Sequence, residues 1–408
     1  MNRETRQERQ KPGGRIARIV APIFHRMLDR VDSGLAAGAI EASLPDGTRR
    51  LLGGRVEGPL AIVHVVRWRA LWRLASSGSV GWYEGWVAGD WTCPDPVPLF
   101  DLFMRNAVTL RRVGRAGGPA KLAARAWHRL RRNSRAGARR NIAFHYDLGN
   151  DFYREWLDHS LTYSSAIFAE PIDVAEPLTQ AQTRKLRAVL ARTETKAGDT
   201  ILEIGCGWGS FAAIASAAGV RVHGITLSRE QKEAVEAQAL PGVSVAITDY
   251  RDVAGKFDAV VSIEMVEAVG REYWDDYVAV IARALKPGGR AAIQYIAIDD
   301  AIFAEYADGV DFIQRYIFPG GLLLSETRFR AIAESHGLMW QDCAGFGLHY
   351  AETLRRWREA FDLAVDKGRL PARFDARFVD LWRYYLMYCE GGFRGGGIDV
   401  AQITLVKR

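Results

Sequence analysis

Three glycines alternate with other residues directly after the apolar segment ILEI, and they are Gly205, Gly207 and Gly209. Glycines at this spacing permit a sharp change from strand to helix, and they let a ligand lie against bare backbone. The partial positive charge at the start of the following helix would face that ligand. A dinucleotide-binding turn needs glycine or alanine where this chain has Ser210. Because Glu203 precedes the first glycine, the turn suits a cationic amino-acid ligand better than a pyrophosphate.

This Glu-x-Gly-x-Gly-x-Gly pattern resembles the cofactor loop of class I S-adenosylmethionine methyltransferases. In such folds ligands bind at the carboxyl ends of the strands, so the loops after successive strands must meet at one pocket. The loops predicted to meet are 205–210, 226–231, 249–252, 264–270 and 294–298. An acid after the second strand usually holds a ribose, but this strand ends in Thr226, so the contact must come from Thr226 or Gln231. Asp249 after the third strand either accepts a hydrogen bond from the adenine amino group or caps a helix.

Alternating strand and helix patterns are predicted to position these loops. The predicted strands are 200–204, 220–225, 243–248, 257–263, 291–298 and 399–406, and the predicted helices are 177–192, 228–240 and 273–285. Residues 286–289 are predicted to turn into the fifth strand, and Ser228 with Gln231 is predicted to form a capping box. Right-handed crossovers then give an α/β fold, a doubly wound Rossmann-like sheet that an antiparallel last strand closes.

Composition and targeting signals limit the class of protein. The chain has 408 residues with 48% hydrophobic content, enough for more than one core. No run approaches 18 apolar residues, so no transmembrane helix is expected. The charged N-terminus, followed by an apolar segment that arginines interrupt, argues against a signal peptide. Four scattered cysteines show neither metal-ligand spacing nor a disulfide framework, so we predict no metal site and a cytoplasmic protein with reduced thiols.

The charge distribution suggests the domain organisation. A net charge of +7 favours nucleic acid or an anionic membrane as partner, and basic residues concentrate before residue 141. Since no recognition motif accompanies the charge, we expect no nucleic acid and predict contact with anionic lipid, with a solvated charged face as the alternative. The predicted divisions are a disordered tail 1–14, a lipid- or membrane-associated α+β domain 15–118, a basic linker 119–140 and a catalytic domain 141–408 with an acyl-channel insertion at 299–330.

The predicted first domain begins with an amphipathic helix over 15–31, which Pro22 should kink or restart. This helix either packs on its own domain or lies on a membrane surface. Strands are predicted at 38–43, 49–52 and 60–66. The aromatic, glycine-rich segment 81–91 either belongs to a core or faces acyl chains.

Several motifs together resemble the cyclopropane-fatty-acyl-phospholipid synthases and the related mycolic-acid methyltransferases. The motifs are HYDLGNDFY at 145–153, YSS at 163–165, LEIGCGWG at 202–209, ITLS at 225–228, EMVEAVG at 264–270 and YYL at 384–386. They cover residues 141–408, and segment 81–91 resembles the N-terminal domain of the phospholipid-acting synthases. The resemblance implies transfer of a methyl from S-adenosylmethionine to a cis double bond of an unsaturated phospholipid acyl chain, with a cyclopropane as the product.

The resemblance also implies roles for individual residues. Tyr163 and Ser164 would close over the cofactor. The residues implied to hold its methionine, ribose and adenine portions are Glu203, Gly205, Gly207, Gly209, Thr226, Leu227, Gln231, Asp249 and Ile263. In this family a bound bicarbonate serves as the base, and the residues implied to cradle it here are Ser165, Glu267, Gln294, Ile296 and Tyr385. The candidates to line the acyl channel, with core packing as the alternative, are Tyr306, Phe312, Tyr316 and Phe318.

The chemistry explains why such a site is needed. An alkene is a weak nucleophile, and its attack on a sulfonium methyl leaves a carbocation on the acyl chain. The site must therefore exclude water, stabilise the cation and remove one proton to close the ring. A small anion oriented by Glu267 and the Tyr385 hydroxyl can act as that base without a positioned histidine.

Three positions depart from the best-known members of the family. Ser165 stands where they have cysteine, and Gln294 and Ala268 stand where they have histidine. Ser165 and Gln294 can still hydrogen-bond an anion, but the changes leave open a cyclopropane, a methyl branch or a methylene branch as the product.

The sequence is also compatible with methylation of a soluble small molecule, with a non-catalytic lipid-binding protein, and with a nucleic-acid methyltransferase, which the insertion fits poorly. We expect peripheral association with the inner face of the membrane; the oligomeric state stays open, with a homodimer as one option.

Overall fold

The computed structural model describes residues 15–110 and 148–408. The chain divides into two compact units between residues 122 and 123, inside the predicted basic linker. The predicted tail 1–14, the linker 119–140 and the first residues of the motif that begins at 145 lie outside the described residues. No helix in the described ranges combines the length and the apolar character needed to cross a bilayer.

The first unit contains a four-stranded sheet with the order β2-β1-β3-β4. The strands are β1 (Ala39–Ser43), β2 (Arg49–Gly53), β3 (Leu60–Val65) and β4 (Trp91–Thr92). Strand β1 pairs antiparallel with β2 and parallel with β3. The helices described in this unit are α1 (Arg15–Gly34), α2 (Arg69–Val87), α3 (Val97–Arg105) and α4 (Ala107–Leu110). The three predicted strands are therefore confirmed to within one residue at each end.

The amphipathic helix α1 packs on its own unit. Leu28 and Val31 are buried, and the ring of Phe24 stacks on that of Trp68 with centroids 5.1 Å apart. Helix α1 continues through Pro22, so the restart predicted there does not occur. Packing on the unit explains these side chains without a membrane, although Ile23 remains exposed.

The aromatic segment 81–91 forms part of the core of this unit. Trp82 on α2 and Trp91 on β4 stack with ring centroids 4.1 Å apart, and Trp91 Nε1 donates to the Trp82 carbonyl at 2.8 Å. Both rings are buried. Glycine is required at Gly81 because a Cβ there would lie 2.1 Å from the carbonyl oxygen of Arg73. The core interpretation of the segment therefore holds for these two tryptophans.

The second unit is built on a seven-stranded sheet with the order β10-β11-β9-β8-β5-β6-β7. The strands are β5 (Thr200–Ile204), β6 (Arg221–Thr226), β7 (Val243–Ile247), β8 (Phe257–Ile263), β9 (Leu285–Ile298), β10 (Leu338–Gly345) and β11 (Ile398–Lys407). Strands β7, β6, β5, β8 and β9 are parallel, whereas β11 is antiparallel to both β9 and β10. The predicted Rossmann-like fold with an antiparallel last strand is confirmed.

Helices cover the faces of this sheet. They are α5 (Asn150–Tyr153), α6 (Leu178–Thr193), α7 (Ser210–Ala217), α8 (Arg229–Glu236), α9 (Trp274–Ala284), α10 (Asp300–Asp308), α11 (Phe312–Tyr316), α12 (Glu326–Ser335), α13 (Gly347–Asp366) and α14 (Ala376–Arg394). Ala259 and Val261 of β8 join the core under α6 and α7, and Val260 between them is equally buried. Burial on both faces is expected of a central strand in a parallel sheet.

Two predictions about the strands are wrong. The last strand, β11, does not form the edge of the sheet, because the unpredicted β10 pairs with its outer side. Residues of β10 beyond its start are half-buried or exposed, so the strand lacks the apolar run that marks the central ones. Strand β9 begins at Leu285 rather than at residue 291, since Phe257 pairs with Leu285 and Ala259 with Arg290. The predicted turn 286–289 is therefore a bulge inside the strand.

The helix after the second strand also differs from its prediction. It ends at Glu236 rather than near residue 240. Its capping box forms only in part: the Ser228 hydroxyl accepts a hydrogen bond from the Gln231 backbone N–H at 3.2 Å, but the Gln231 side chain contacts Thr226 instead. The side chain of Gln231 is thus directed towards the end of β6.

The carboxylate of Asp90 is fully buried and holds three arginines around the turn before β4. Arg67, Arg69 and Arg73 donate to it at 3.1, 2.8 and 2.9 Å. Burial acts to raise the pKa of Asp90, but the hydrogen bonds from Arg69 and Arg67 outweigh it and the pKa is lowered. The stabilisation is therefore present above the unfolded-state pKa of 3.8 and is lost as the pH falls through the lower folded-state pKa.

We expect Asp90→Asn to lower the free energy of unfolding of the first unit by about 3 kcal/mol, because three guanidinium groups lose their charged partner. Urea unfolding of the full chain, followed by tryptophan fluorescence at neutral pH, measures the change. Glu57→Gln is the control, since Glu57 is exposed in the same unit. Equal stability of the two variants would contradict the role of Asp90.

Candidate active site

The carboxyl ends of neighbouring parallel strands bring the predicted site loops to one edge of the sheet. The order β9-β8-β5-β6 places the loops after these four strands side by side. At the β8–β9 junction the Glu264 backbone N–H donates to the Gln294 carbonyl at 2.8 Å. The side chain of Met265 lies against the glycine turn, because a Cβ at Gly205 would come within 3.0 Å of its Cγ. Four loops therefore border one site.

The glycine turn has the conformation that its sequence predicts. Gly205, Gly207 and Gly209 have φ angles of +82°, +50° and +85°, which favour glycine. A Cβ at Gly209 would lie 2.9 Å from the side chain of Val235, so packing requires glycine there. A Cβ at Gly207 would meet no atom within 4 Å, so the backbone of Gly207 is open to a ligand. Among the described residues, no side chain covers the turn at Gly207.

Glu203 is buried beside this turn with unused hydrogen-bonding capacity. Its Oε2 has no hydrogen-bond partner among the described residues. Burial raises the pKa of Glu203 well above its ordinary value, and the ammonium of Lys185 opposes the shift. A buried acceptor without a donor is costly unless a ligand supplies one. Glu203 is therefore suited to an ammonium group, as predicted.

Gln231 supplies a complementary donor at the end of β6. The Thr226 hydroxyl donates to Gln231 Oε1 at 2.6 Å, so the Nε2 atom of the same amide points away from Thr226. This buried Nε2 has no partner among the residues that the structure describes. Thr226 therefore orients the amide of Gln231 so that the N–H groups of Nε2 can donate to a ribose oxygen. Leu227 is half-buried in the same loop.

Asp249 caps a short helix. Its Oδ1 accepts a hydrogen bond from the Arg251 backbone N–H at 3.0 Å, and its carboxylate receives both Nε and Nη2 of Arg251. The capping role is thus confirmed, while the adenine contact of Asp249 stays a prediction. Ile263 is half-buried at the end of β8, where its contact with the adenine also stays a prediction.

These features fit S-adenosylmethionine. Its ammonium group matches the free acceptor of Glu203, a ribose hydroxyl matches the free donor of Gln231, and the open backbone at Gly207 leaves room between them. Tyr163 and Ser164 follow the motif that begins at residue 145 and are predicted to close over it. When bound, S-adenosylmethionine supplies an electrophilic methyl group.

A second group of polar side chains lies at the ends of β8 and β9. Both Glu264 and Glu267 are half-buried. Oε1 of Glu264 accepts from the Ser165 backbone N–H at 2.8 Å and from Gln294 Nε2 at 2.7 Å, and its Oε2 accepts from the Tyr350 hydroxyl at 2.7 Å. Glu264 is therefore the centre of a hydrogen-bonded cluster.

Glu267 is held differently. Its Oε1 accepts a hydrogen bond from the Ile296 backbone N–H, and its Oε2 has no partner among the described residues. Burial raises the pKa of Glu267 to about 8, and the nearby charge of Glu264 adds to the shift. A group with that pKa carries its proton over much of the neutral range.

Tyr385 and Glu267 border the same site. The Tyr385 and Tyr163 hydroxyls are hydrogen-bonded at 2.8 Å. The ring of Phe318 lies 6.2 Å from that of Tyr385, and four residues further on the Leu322 backbone N–H donates to the Glu267 carbonyl at 2.8 Å. One short segment thus connects the two predicted catalytic residues.

Among the residues predicted to cradle bicarbonate, the N–H donors already form hydrogen bonds within the protein, whereas Oε2 of Glu267 has no partner among the described residues. The Ser165 N–H and both N–H groups of Gln294 are occupied, the Ile296 N–H donates to Glu267, and the Tyr385 hydroxyl pairs with Tyr163. The Ser165 hydroxyl donates to the carbonyl of Ala166 at 3.0 Å. As placed here, the donors of Ser165, Gln294 and Ile296 are not available to an additional anion.

Three residues of the site were missed by sequence reasoning, namely Lys185, Glu264 and Tyr350. Glu264 belongs to a motif whose sequence marks it as a family signature without indicating which of its side chains has a function. Lys185 is fully buried on α6 and donates to the Ser164 hydroxyl at 2.6 Å. Burial lowers the pKa of Lys185 to about 8, and Glu264, Asp158 and Glu203 oppose the shift. No pattern in the sequence indicated that Tyr350, on α13, contacts Glu264.

The candidates for the acyl channel occupy different environments. Phe312 is fully buried, and its ring packs against those of Tyr384 at 4.7 Å and Tyr388 at 5.4 Å. Core packing therefore accounts for Phe312. The half-buried Phe318, beside Tyr385, lies next to the site. Tyr306 is half-buried and accepts a hydrogen bond from the Leu323 N–H at 3.2 Å, and Tyr316 is half-buried, so a channel role for these two stays a prediction.

Comparisons with known proteins identify the family to which this chain belongs. A family model described as mycolic acid cyclopropane synthetase matches residues 133–403. Tuberculostearic acid methyltransferase UfaA1 of Mycobacterium tuberculosis is 36% identical over 418 residues, covering 97% of this chain and 93% of the relative. The cyclopropane-fatty-acyl-phospholipid synthase of Escherichia coli K12 is 33% identical over 339 residues, covering 82% and 85%. The solved structure of mycolic acid cyclopropane synthase CmaA1 with SAH and CTAB covers 66% of this chain and 98% of its own at 30% identity, with a TM-score of 0.61.

We expect Glu203→Gln to weaken S-adenosylmethionine binding about ten- to a hundredfold, because a charge-assisted hydrogen bond is lost. Since the raised pKa leaves Glu203 protonated in part of the free protein, binding of a cation should release protons, and affinity should rise with pH as Glu203 ionises. Calorimetry in two buffers of different ionisation enthalpy measures both effects.

The matched control is Glu233→Gln, because Glu233 is exposed on α8 near the same loop. It should bind like the unchanged chain and release the same number of protons. If Glu203→Gln also binds like the unchanged chain, Glu203 does not hold the ammonium group.

Proposed function

Because this chain belongs to the mycolic acid cyclopropane synthetase family of S-adenosylmethionine-dependent methyltransferases, we propose that it methylates a cis double bond in an unsaturated phospholipid acyl chain. The observation that carries this proposal is the position of two half-buried carboxylates, Glu264 and Glu267, beside an open glycine turn. A donor site for a cationic cofactor and a site for proton removal thus lie at the same sheet edge. Lipid as the class of substrate agrees with the relatives named above.

The residues of the site divide into groups with different tasks. Glu203, Gly207 and Gln231 would bind and orient the methyl donor. Tyr163 and Tyr385, joined by a hydrogen bond, close the site with aromatic surface that excludes water. Aromatic faces also stabilise a cation, by about 1–2 kcal/mol each in a dry site. A carboxylate in the loop after β8 then receives the proton that ring closure releases.

A non-catalytic lipid-binding protein is a weaker candidate. Such a protein has no need of an ammonium acceptor buried at Glu203 or of the unpartnered donor at Gln231. Buried polar groups without partners cost stability, so a chain that no longer bound the cofactor would gain from losing them. Measured binding of S-adenosylmethionine separates the two functions.

The product is proposed to be a cyclopropane, with a methyl or methylene branch as the second candidate. The relative from Escherichia coli is named a cyclopropane synthase, and UfaA1 is named a methyltransferase of tuberculostearic acid. A ring requires only loss of a proton from the added methyl group. A methylene branch first requires a hydride shift that moves the positive charge to the methyl-bearing carbon. A saturated methyl branch then requires reduction of the methylene group by a hydride and a proton, so a reductase would have to follow this enzyme.

Purified chain with S-adenosylmethionine and vesicles of cis-unsaturated phospholipid should add one CH2 unit per modified acyl chain and consume the double bond. Mass spectrometry of the acyl chains measures the addition, and proton NMR distinguishes ring methylenes from branch methyls or a methylene group. Vesicles of saturated phospholipid are the matched control. No addition to any unsaturated chain, with the cofactor bound, would refute acyl methylation.

The first unit is proposed to dock the enzyme on an anionic membrane. The apolar side chains of Ile23 on α1 and Trp72 on α2 are largely exposed, at 68% and 64%. Tryptophan is favoured at the membrane interface because one part of its ring system is apolar and its N–H is polar. The excess of basic residues in the first part of the sequence adds attraction to anionic lipid.

We expect the chain to co-sediment with vesicles that contain anionic lipid and to dissociate as salt is raised. The double variant Ile23→Ser, Trp72→Ala should leave a smaller fraction bound. Val174→Ser is the control, because Val174 is equally exposed but lies in the second unit. Binding that is unaffected by salt and by the double variant would exclude this mode of docking.

A further inference from the structure

We propose that the carboxylate of Glu264 is itself the base of the reaction, in the place where the family resemblance implies a bound bicarbonate. This inference rests on the proposed acyl methylation. It makes the base a fixed part of the chain, so turnover would need no small anion from solution.

The first support is the set of partners that Glu264 has. Ser165 and Gln294 are among the residues predicted to hold bicarbonate, and in the structure the Ser165 backbone N–H and Gln294 Nε2 both donate to Oε1 of Glu264, at 2.8 and 2.7 Å. A carboxylate presents the same kind of planar, negatively charged oxygen pair as bicarbonate. Glu264 therefore makes with its side chain the contacts that the anion was predicted to make.

The second support is the fixed orientation of the Gln294 amide. Arg192 Nε donates to Gln402 Oε1 at 3.2 Å, and Gln402 Nε2 donates to Gln294 Oε1 at 3.0 Å. Because an arginine side chain can only donate, this chain of contacts sets the direction of both amides. The Nε2 of Gln294 must then face Glu264, and its second N–H is directed to the Ser165 carbonyl at 3.4 Å.

The third support is the charge of the site. Glu203 and Glu264 both interact with the buried ammonium of Lys185. A bicarbonate would add a further negative charge next to Glu264, which already uses the donors of Ser165 and Gln294. Burying an unpaired charge is strongly unfavourable, so the site as built disfavours the additional anion.

The two carboxylates are suited to different protonation states. Burial raises the pKa of Glu264, while the charge of Lys185 and the hydrogen bonds from Ser165, Tyr350 and Gln294 act to lower it. Burial also raises the pKa of Glu267, to about 8, and there the charge of Glu264 adds to the shift, whereas the hydrogen bond from the Ile296 N–H opposes it. The larger number of donors and the facing ammonium favour the ionised form at Glu264 rather than at Glu267, which assigns the base to Glu264.

The backbone at Glu264 is also unusual. Its φ angle is +49°, in the left-handed region that glycine favours. A side chain other than glycine is held there only when its surroundings compensate, and such residues concentrate at functional sites. The left-handed turn directs the carboxylate from the end of β8 to Ser165 and Tyr350. The strain is therefore accounted for if this carboxylate is needed at this point.

The proton transfer is balanced as follows. The acyl chain carries the added methyl and a positive charge on the neighbouring carbon. A C–H bond of that methyl breaks, its electron pair closes the ring on the cationic carbon, and the proton goes to Oε2 of Glu264. A carboxylate has about four lone-pair sites, and the contacts named above use three, so Oε2 retains one. The neutral Glu264 then releases its proton to solvent before the next turnover.

The test is the bicarbonate dependence of acyl methylation in buffers freed of carbon dioxide. The unchanged chain should be fully active without bicarbonate. Glu264→Gly removes the carboxylate, suits the left-handed backbone and exposes the donors of Ser165 and Gln294. We expect its kcat to fall by about a hundred- to ten-thousandfold, and added bicarbonate to restore activity in a saturable way. Glu264→Gln keeps the space filled and should be inactive with or without bicarbonate.

Controls separate loss of the base from loss of the fold or of the cofactor site. Each variant is checked by thermal unfolding and by calorimetric binding of S-adenosylmethionine, which a purely catalytic loss leaves intact. Glu359→Gln, which changes an exposed carboxylate on α13, should match the unchanged chain.

Each outcome decides the proposal. It is overturned if the unchanged chain requires bicarbonate, or if Glu264→Gly keeps full activity without it. If both Glu264 variants fail to fold, the bicarbonate response of the unchanged chain alone decides the question. If the unchanged chain binds S-adenosylmethionine but methylates no lipid, the proposed function fails and this inference fails with it. If the unchanged chain methylates lipid only when bicarbonate is present, the proposed function stands and this inference alone fails.

Discussion

The active site depends on keeping negative charge at the carboxyl ends of β5 and β8 with little water to solvate it. Glu203 is the penultimate residue of β5, before the glycine turn, and Glu264 and Glu267 follow β8, so three carboxyl groups face one region. The ammonium of Lys185, fully buried, interacts with two of them. Since one cation cannot neutralise three carboxylates, the remaining charge must be handled by hydrogen bonds, by protonation or by a cationic ligand. Hydrogen bonds are the solution at Glu264, which several donors contact. Protonation is the solution at Glu267, whose pKa is raised to about 8. A cationic ligand is the solution at Glu203, whose Oε2 has no partner among the described residues.

The fold provides these solutions through elements that are far apart in sequence. Helix α6 carries Lys185 and Arg192, which are two turns apart. The same helix therefore supplies the buried ammonium of the site and the guanidinium that donates to the amide of Gln402. The antiparallel pairing of β11 with β9 puts Gln402 directly opposite Gln294. A parallel strand in that position would present a different register. The antiparallel end of the sheet, a feature of topology, is thus also what fixes the amide that holds Glu264.

The features that follow from local pattern were predictable. Alternating strands and helices, the glycine turn and the strand-end position of Thr226 all follow from short stretches of sequence, and the structure places them as expected. The edge strand β10 was missed because most of its residues are half-buried or exposed, which removes the apolar run that identifies a central strand. Residues 286–289, the bulge near the start of β9, were predicted to form a turn because Pro and Gly are common in turns and in bulges alike.

The functional contacts that were missed have a different cause. Glu264 meets Ser165 across 99 positions of sequence and Tyr350 across 86, so no local pattern predicts that these groups share a carboxylate. Its positive φ angle, which decides where the side chain lies, cannot be inferred for a residue that normally avoids that region. Lys185 lies on the predicted helix 177–192, and only the packed structure shows that it is buried.

Two of the three substitutions that set this chain apart from the best-known members of its family, at positions 294 and 165, then acquire one physical explanation. A histidine at position 294 changes its charge near neutral pH, whereas an amide is always neutral and offers a donor on one side and an acceptor on the other. Gln294 uses both sides, accepting from Gln402 and donating to Glu264. At position 165 the contact with Glu264 comes from the backbone N–H, and the hydroxyl is bonded to the neighbouring carbonyl, so the identity of the side chain matters less there. A carboxylate built into the chain needs neutral, fixed donors more than it needs a titratable one, and Gln294 and the Ser165 backbone are donors of that kind.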